Sequence, residues 1–257
     1  QIKLNNFKTF YENSEFSGNT IYFLNTKKIE GTLITKDFLI KEKYFGKSQI
    51  DLFGGSANCK VNFNTYLNSF NYENFVKKLN IQGECNTGEM FLSGIDLKKI
   101  SDDVDKVSDI TTLVNLINRK NLGQTSKFKK INLNFNVKRG FFNIESLKAF
   151  HPNLIINSDG KYNILKDDLS LKSKAYFKTH KYNDLPPLGV NLNGPLKNYK
   201  ISYDFESLKQ KLFNKGVNEI LKEKKSIILD PKKIKKLFKK NIEKELNADK
   251  IIDFFIN

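Results

Sequence analysis

The side chains able to do acid–base, nucleophilic or metal chemistry are few. The chain has 257 residues with two His, two Cys, one Met and no Trp. His151 follows a strand-like segment and precedes Pro152, and His180 ends the wet side of another such segment. Neither has a Ser or Cys beside it in a nucleophile context. Asp167-Asp168 is a polar break between strands rather than a pair of carboxylates spaced across a cleft. Asp102, Asp103, Asp105 and Asp109 crowd a helical stretch but lack the glycine and closing glutamate of an EF-hand loop, so they read as a solvated acidic face. Gly54-Gly55 separates two strands instead of opening a helix, which excludes a phosphate loop. Cys59 and Cys85 make no CxxC, and a zinc site would need more ligands than the chain offers. They read either as two small buried residues or as a cross-strand disulfide in an oxidising compartment. The expectation is a non-enzyme with no cofactor and no metal.

The charge points less clearly than its size suggests. Lys and Arg number 44 against 28 Asp and Glu, a net +16, which invites a nucleic-acid reading. Only Arg119 and Arg139 are arginine, however, and bidentate recognition of phosphate or guanine favours Arg over Lys. Asn is abundant (32) and Ala rare (four), a bias that AT-rich codons produce. Much of the basicity is therefore compositional, and no nucleic-acid partner is expected. Attraction to an anionic membrane surface remains available to the lysines. No apolar run approaches the roughly 18 residues of a membrane-spanning helix. The chain opens on Gln1 without a charged-then-apolar leader, which reads as a fragment or processed chain with any anchor upstream.

The elements that must position any site are mostly strands. Residues 57–64 and 131–138 alternate apolar and polar, and 169–181 places Leu169, Leu171, Ala175 and Phe177 on one face. Clean alternation means strands with one buried and one wet face. Strands are expected near 19–25, 28–35, 37–43, 47–53, 56–66, 78–85 and 87–93. A second series is expected near 128–139, 141–149, 152–158, 161–166, 169–181, 187–194 and 198–204. Turn signals such as Gly54-Gly55, Arg139-Gly140 and Ser158-Asp159-Gly160 punctuate them, which favours an antiparallel meander. Helical spacing appears between Asp96 and Lys120 and again from Phe205 onward, with Asp230-Pro231 as an N-cap and first helical residue. The fold class is mainly β with helices (α+β). It divides into a β domain over 1–204, with a helical insertion near 96–120, and a helical tail over 205–257.

The order of several motifs resembles the AsmA-like C-terminal region. Ile50-Asp51-Leu52-Phe53-Gly54-Gly55-Ser56-Ala57 is similar to that family's GG hairpin, and Gly94-Ile95-Asp96-Leu97 to its GxDL segment before helices. Gly123-Gln124-Thr125-Ser126-Lys127-Phe128 and Val137-Lys138-Arg139-Gly140-Phe141-Phe142 resemble the start of the next strand and the turn after it. Leu185 through Tyr199, with Pro186, Gly194 and Pro195, resembles the closing segment. The resemblance spans roughly residues 15–225. It implies the periplasmic part of a protein anchored in the inner membrane of a Gram-negative bacterium. It further implies an antiparallel β-meander curled into an open groove or partial barrel, capped by short helices. The implied work is binding or conducting phospholipid in support of outer-membrane lipid homeostasis and assembly. The alternative is a scaffold module that contacts envelope proteins and carries no lipid.

The residues fit an acyl-chain carrier on their own terms. Lipid tails offer no hydrogen bonds, and each CH₂ moved off water contributes about 0.8 kcal/mol. An eight-residue strand spans about 27 Å, comparable to an acyl chain. The candidate lining is Ala57, Cys59, Val61, Phe63, Leu133, Phe135, Val137, Leu169, Leu171, Phe177, Val190 and Leu192. The bland reading of the same residues is an ordinary core covered by the 96–120 helices. In the tail, Lys232, Lys233, Lys235, Lys236, Lys239 and Lys240 border an amphipathic C-terminal helix that would lie on an anionic leaflet or dock on the parent domain.

Overall fold

In the computed structural model of the chain the alternating segments are strands. The structure describes residues 1–40, 52–67, 71–93, 96–104, 125–178 and 185–204, with Ser207 and Gln210 beyond them. The chain divides into two compact units, Gln1–Leu208 and Lys209–Asn257, and the elements below belong to the first. In chain order they begin with β1 (Ile2–Tyr11), β2 (Ser14–Phe23), β3 (Lys28–Leu39), β4 (Leu52–Phe53) and β5 (Ser56–Tyr66). Helix α1 (Tyr72–Lys78), β6 (Asn80–Thr87), β7 (Met90–Leu92), helix α2 (Leu97–Val104) and β8 (Ser126–Phe128) follow. The rest are β9 (Lys130–Lys138), β10 (Phe141–His151), β11 (Leu154–Asn163), β12 (Asp168–Phe177), β13 (Leu188–Gly194) and β14 (Lys200–Asp204).

Eleven strands form one sheet in the order β1-β2-β3-β5-β6-β9-β10-β11-β12-β13-β14, and β4-β7-β8 form a small second sheet. Each pairing is antiparallel. The order follows the chain, so the sheet is a meander interrupted where α1 and then β7, α2 and β8 are inserted. It neither closes nor curls strongly as a whole, and β1 and β14 are its outer strands. Tight hairpins set the registers. Glu12 and Asn13 both have positive φ (45° and 67°), as do Arg139 and Gly140 (54° and 80°), the pattern of a type I′ turn whose twist suits paired strands.

Bulges keep the apolar residues on one side. The register slips between Leu4 and Phe7 in β1, between Thr35 and Phe38 in β3, and between Ile144 and Leu147 in β10. Asn6 and Asp37, at two of these slips, have φ of 50° and 53°. A bulge adds a residue, so the odd–even alternation changes parity there while the side chains stay on their face. That is why 28–35 and 37–43 read as two strands and are one, β3. The Ser158-Asp159-Gly160 turn signal falls inside β11, where Ser158 shares a 2.8 Å hydroxyl hydrogen bond with Ser173 of β12. The segments expected at 152–158 and 161–166 are thus a single strand. The strand expected at 47–53 is described only as Leu52–Phe53.

At two seams glycine lets adjacent backbones approach closely. A Cβ on Gly18 would collide with the Thr32 carbonyl oxygen of β3 and lie 3.3 Å from Leu33 Cα. A Cβ on Gly160 would collide with the Ser170 carbonyl oxygen and lie 2.8 Å from Leu171 Cα of β12. In a flat sheet a Cβ clears the neighbouring backbone. Here the neighbouring backbone lies where that Cβ would be, a close approach that glycine permits.

The packed core sits toward one end of the strands. In α2, Leu97, Ile100, Ser101 and Val104 are buried at i, i+3, i+4 and i+7 spacing. Ile100 and Val104 pack with Ala175 and Leu188, and Leu97 joins Met90, Phe128, Ile131, Ala149 and Leu154. Asp96 accepts a 2.9 Å bond from the Lys99 N–H at the start of α2, and the Ser126 hydroxyl accepts one of 2.8 Å from the Leu97 N–H. Both satisfy orphan donors of the first helical turn.

Candidate functional site

The registers assemble one transverse row across all eleven strands: Phe7, Gly18, Leu33, Val61, Gly83, Phe135, Ile144, Gly160, Leu171, Leu192 and Ile201. Directly paired residues share a sheet face. The row is therefore one face, and every member is apolar or glycine. The neighbouring row on that face runs Gly31, Phe63, Ile81, Val137, Phe142, Tyr162, Leu169, Gly194. The row behind, on the other face, reads Asn19, Thr32, Asn62, Gln82, Asn136, Asn143, Lys161, Ser170, Asn193, Lys200. Eleven strands at about 4.8 Å spacing make this apolar face roughly 48 Å across.

All twelve lining residues expected from alternation lie on this face. Ala57, Phe135 and Val137 are buried, while Cys59, Val61, Phe63, Leu133, Leu169, Leu171, Phe177, Val190 and Leu192 are half-buried. Phe135 stacks on Phe142 with ring centroids 4.9 Å apart and lies across Gly83, where any Cβ would strike its ring. Phe177 and Val190 are not open to solvent as freely as alternation suggests, because they pack against the Ile100–Val104 cluster under α2. The 97–104 helix thus covers the strand ends at Ala175 and Leu188, and the small sheet covers those at Ile131 and Ala149. The middle rows, from Leu33 to Leu192, are half-buried apart from the buried Gly83, Phe135 and Val137. Alternation alone missed Phe7, Leu33, Ile144 and Ile201. Phe7 and Ile144 are hidden by the bulges, and Leu33 and Ile201 sit in segments whose pattern is shared by too few residues to stand out.

Cys59 and Cys85 face each other across β5 and β6 and are joined by a disulfide, with Cα atoms 4.1 Å apart. This settles the open choice at the cysteines. The staple lies on the apolar face, beside Leu133.

Two titratable groups on this side are held by packing and hydrogen bonds. His151 ends β10 and is buried, its Nδ1 accepting a 3.2 Å bond from the Asn153 N–H. Its ring meets Phe128 edge-on at 5.9 Å. Burial pushes its pKa below 6.5, Asp96 raises it and Lys178 lowers it further. The Tyr162 hydroxyl donates to Asp167 Oδ1 at 2.9 Å, and burial first, then this bond, pushes its pKa up to about 12. Asp102 is exposed on α2; Asp105, Asp109 and His180 lie outside the described residues, as do Lys232, Lys233, Lys235, Lys236, Lys239 and Lys240.

A separate concavity of about 600 Å³ opens over the polar face of β2, β3, β5, β6 and β9. It is on the wrong side of the sheet for an acyl chain. Among known proteins, no family model, no curated protein and no solved structure matches the chain. The geometry of the sheet therefore carries the functional reading.

Proposed function

We propose that this chain is the lipid-handling β domain of a cell-envelope protein of AsmA-like type. In this reading the apolar face is an open groove that holds or passes the acyl chains of phospholipid. The observation that carries it is the transverse row from Phe7 to Ile201, uninterrupted over eleven strands and half-buried along most of its length. A soluble monomer rarely leaves a contiguous apolar surface of that extent facing water. The close backbone approaches at Gly18 and Gly160 are compatible with a trough on this face. The α2 helix and the small sheet act as the plug at one end. The Cys59–Cys85 disulfide supports a periplasmic location, since such bonds persist in oxidising compartments. The anchor in the inner membrane, the periplasmic side and the role in outer-membrane assembly belong to the same proposal.

Mechanistically the groove works by differential solvation. A chain moving along it exchanges water for Leu, Val, Ile and Phe side chains at about 25 cal/mol per Å² of buried apolar area. No position along the row singles out one stopping point, so sliding costs little once a chain is in. The polar face stays wet throughout.

The deciding experiment is native mass spectrometry of protein purified from a bacterial envelope, with organic extraction of any ligand. Phospholipid at fixed stoichiometry is expected. Val61→Asp and Leu171→Asp, both at half-buried positions, should lower loading at least tenfold while keeping the far-UV circular dichroism of the parent. Full loading in these folded variants would refute the lining. A ligand-free protein with a saturable envelope-protein partner would establish the scaffold alternative instead.

A further inference from the structure

We infer that the concavity on the polar face is a binding site for a neutral oligosaccharide chain. This does not rest on the lipid reading, since the two surfaces lie on opposite faces of the sheet. The floor is the in-register series Asn19, Thr32, Asn62, Gln82 and Asn136, one residue from each of five consecutive strands. Their side chains are oriented by neighbours. The Thr32 hydroxyl donates to Asn62 Oδ1 at 2.7 Å, and Gln82 Nε2 and Asn136 Nδ2 donate to the two oxygens of Glu145 at 3.1 and 2.7 Å. Glu145 sits in the β10 bulge, between Ile144 and Ser146.

Asn136 Oδ1 also accepts a 2.8 Å bond from Asn143 Nδ2. Each amide has one acceptor oxygen and two donor hydrogens, so these bonds leave Asn62 its NH₂, Gln82 its oxygen and one N–H, and Asn136 one N–H. Sugar hydroxyls are matched donors and acceptors and suit such a surface. A strand spacing of about 4.8 Å is close to one sugar unit of an extended chain, so successive units meet successive strands. The volume falls in the range of roughly 300–1,000 Å³ that holds small ligands.

Charge excludes the competitors. In a chain of net +16, this lining holds one acid, Glu30, and one base, Lys138. A nucleic acid would need several cations and stacking aromatics, and Phe63 points to the other face. An extended peptide binds by adding to a free strand edge, but these strands are paired on both sides.

The test is titration calorimetry of the full chain with chitotetraose, cellotetraose and maltotetraose. At least one should bind saturably, with an affinity unchanged between 50 and 300 mM NaCl and at least about tenfold above that of its disaccharide. The double variant Asn62→Ala/Gln82→Ala should weaken binding at least about tenfold, whereas Val61→Asp on the apolar face should leave it intact. Absence of binding to all three up to about 10 mM would overturn the inference. So would equal affinity in the double variant, or binding of a neutral Gly-Ser peptide in place of every tetraose.

Discussion

At the residue scale the chemistry of this chain is that of shielding. Burial disfavours the charged form of His151, the one described imidazole. Its folded pKa lies below the 6.5 of the unfolded chain. As pH falls, the unfolded state therefore takes up the proton first. The stability that His151 supports is complete above about pH 6.5 and is lost as pH falls from there through the folded value. Urea midpoints measured at pH 7.5 and pH 5 should show this loss, and His151→Gln should flatten the difference. Asp96 opposes the shift, so Asp96→Asn should lower the His151 pKa further, as read by ¹H–¹⁵N NMR titration. The Cys59–Cys85 bond makes a second prediction. It closes a loop with a sequence separation of 26, and the chain-entropy estimate for such a loop is about 3–4 kcal/mol. Reduction, or the Cys59→Ala/Cys85→Ala pair, should shift the urea midpoint downward by that order with little change in the folded circular dichroism.

At the element scale the sheet depends on bulges and close glycine contacts that let an eleven-strand meander present one apolar face. Gly160→Val should destabilise by roughly 1–3 kcal/mol, the cost of overpacking, because the added carbons meet the β12 backbone. A lower urea midpoint at unchanged m-value would check it. Gly88, where a Cβ would meet nothing within 4 Å, is the control: Gly88→Ala should shift stability little. The same devices set how far the fold was legible. Strand β5 was read at its observed bounds, Ser56–Tyr66, because its alternation runs unbroken. Strand β1 went unread because its bulge changes parity between Leu4 and Phe7, which erases a period of two. Helix α1 has seven residues, too few to show a 3.6-residue period. Its local signals are short: Asn71, whose side chain accepts from the Asn74 N–H at 3.2 Å, Glu73 in the first turn and Lys77 and Lys78 in the last. The twelve lining residues were legible as alternating positions. Their union into one surface was not, since pairing register between distant strands has no local signature.

At the scale of the whole molecule the proposed lipid handling would draw on two physical effects, and they separate experimentally. The net charge of +16 would draw the chain to anionic vesicles, an attraction screened within a Debye length of about 8 Å at physiological salt. Retention of an acyl chain on the apolar face is a desolvation effect and is nearly indifferent to salt. Delipidated protein should therefore bind phosphatidylglycerol vesicles at 50 mM NaCl and leave them at 500 mM, while lipid already loaded stays bound through the same salt step. Loading should also be visible as stabilisation. At a ligand concentration of about 100 Kd the native state gains about 2.7 kcal/mol, which corresponds to roughly 5–10 °C in Tm for a domain of this size. Fluorescence of anilinonaphthalene sulfonate should be high on the delipidated protein and fall as phospholipid fills the face. Val61→Asp should suppress both the dye signal and the thermal shift without altering vesicle adsorption at low salt. Loss of loaded lipid at 500 mM NaCl would mean that the lysines, not the Phe7–Ile201 row, hold the lipid, and the apolar face would then have to be covered by a protein surface.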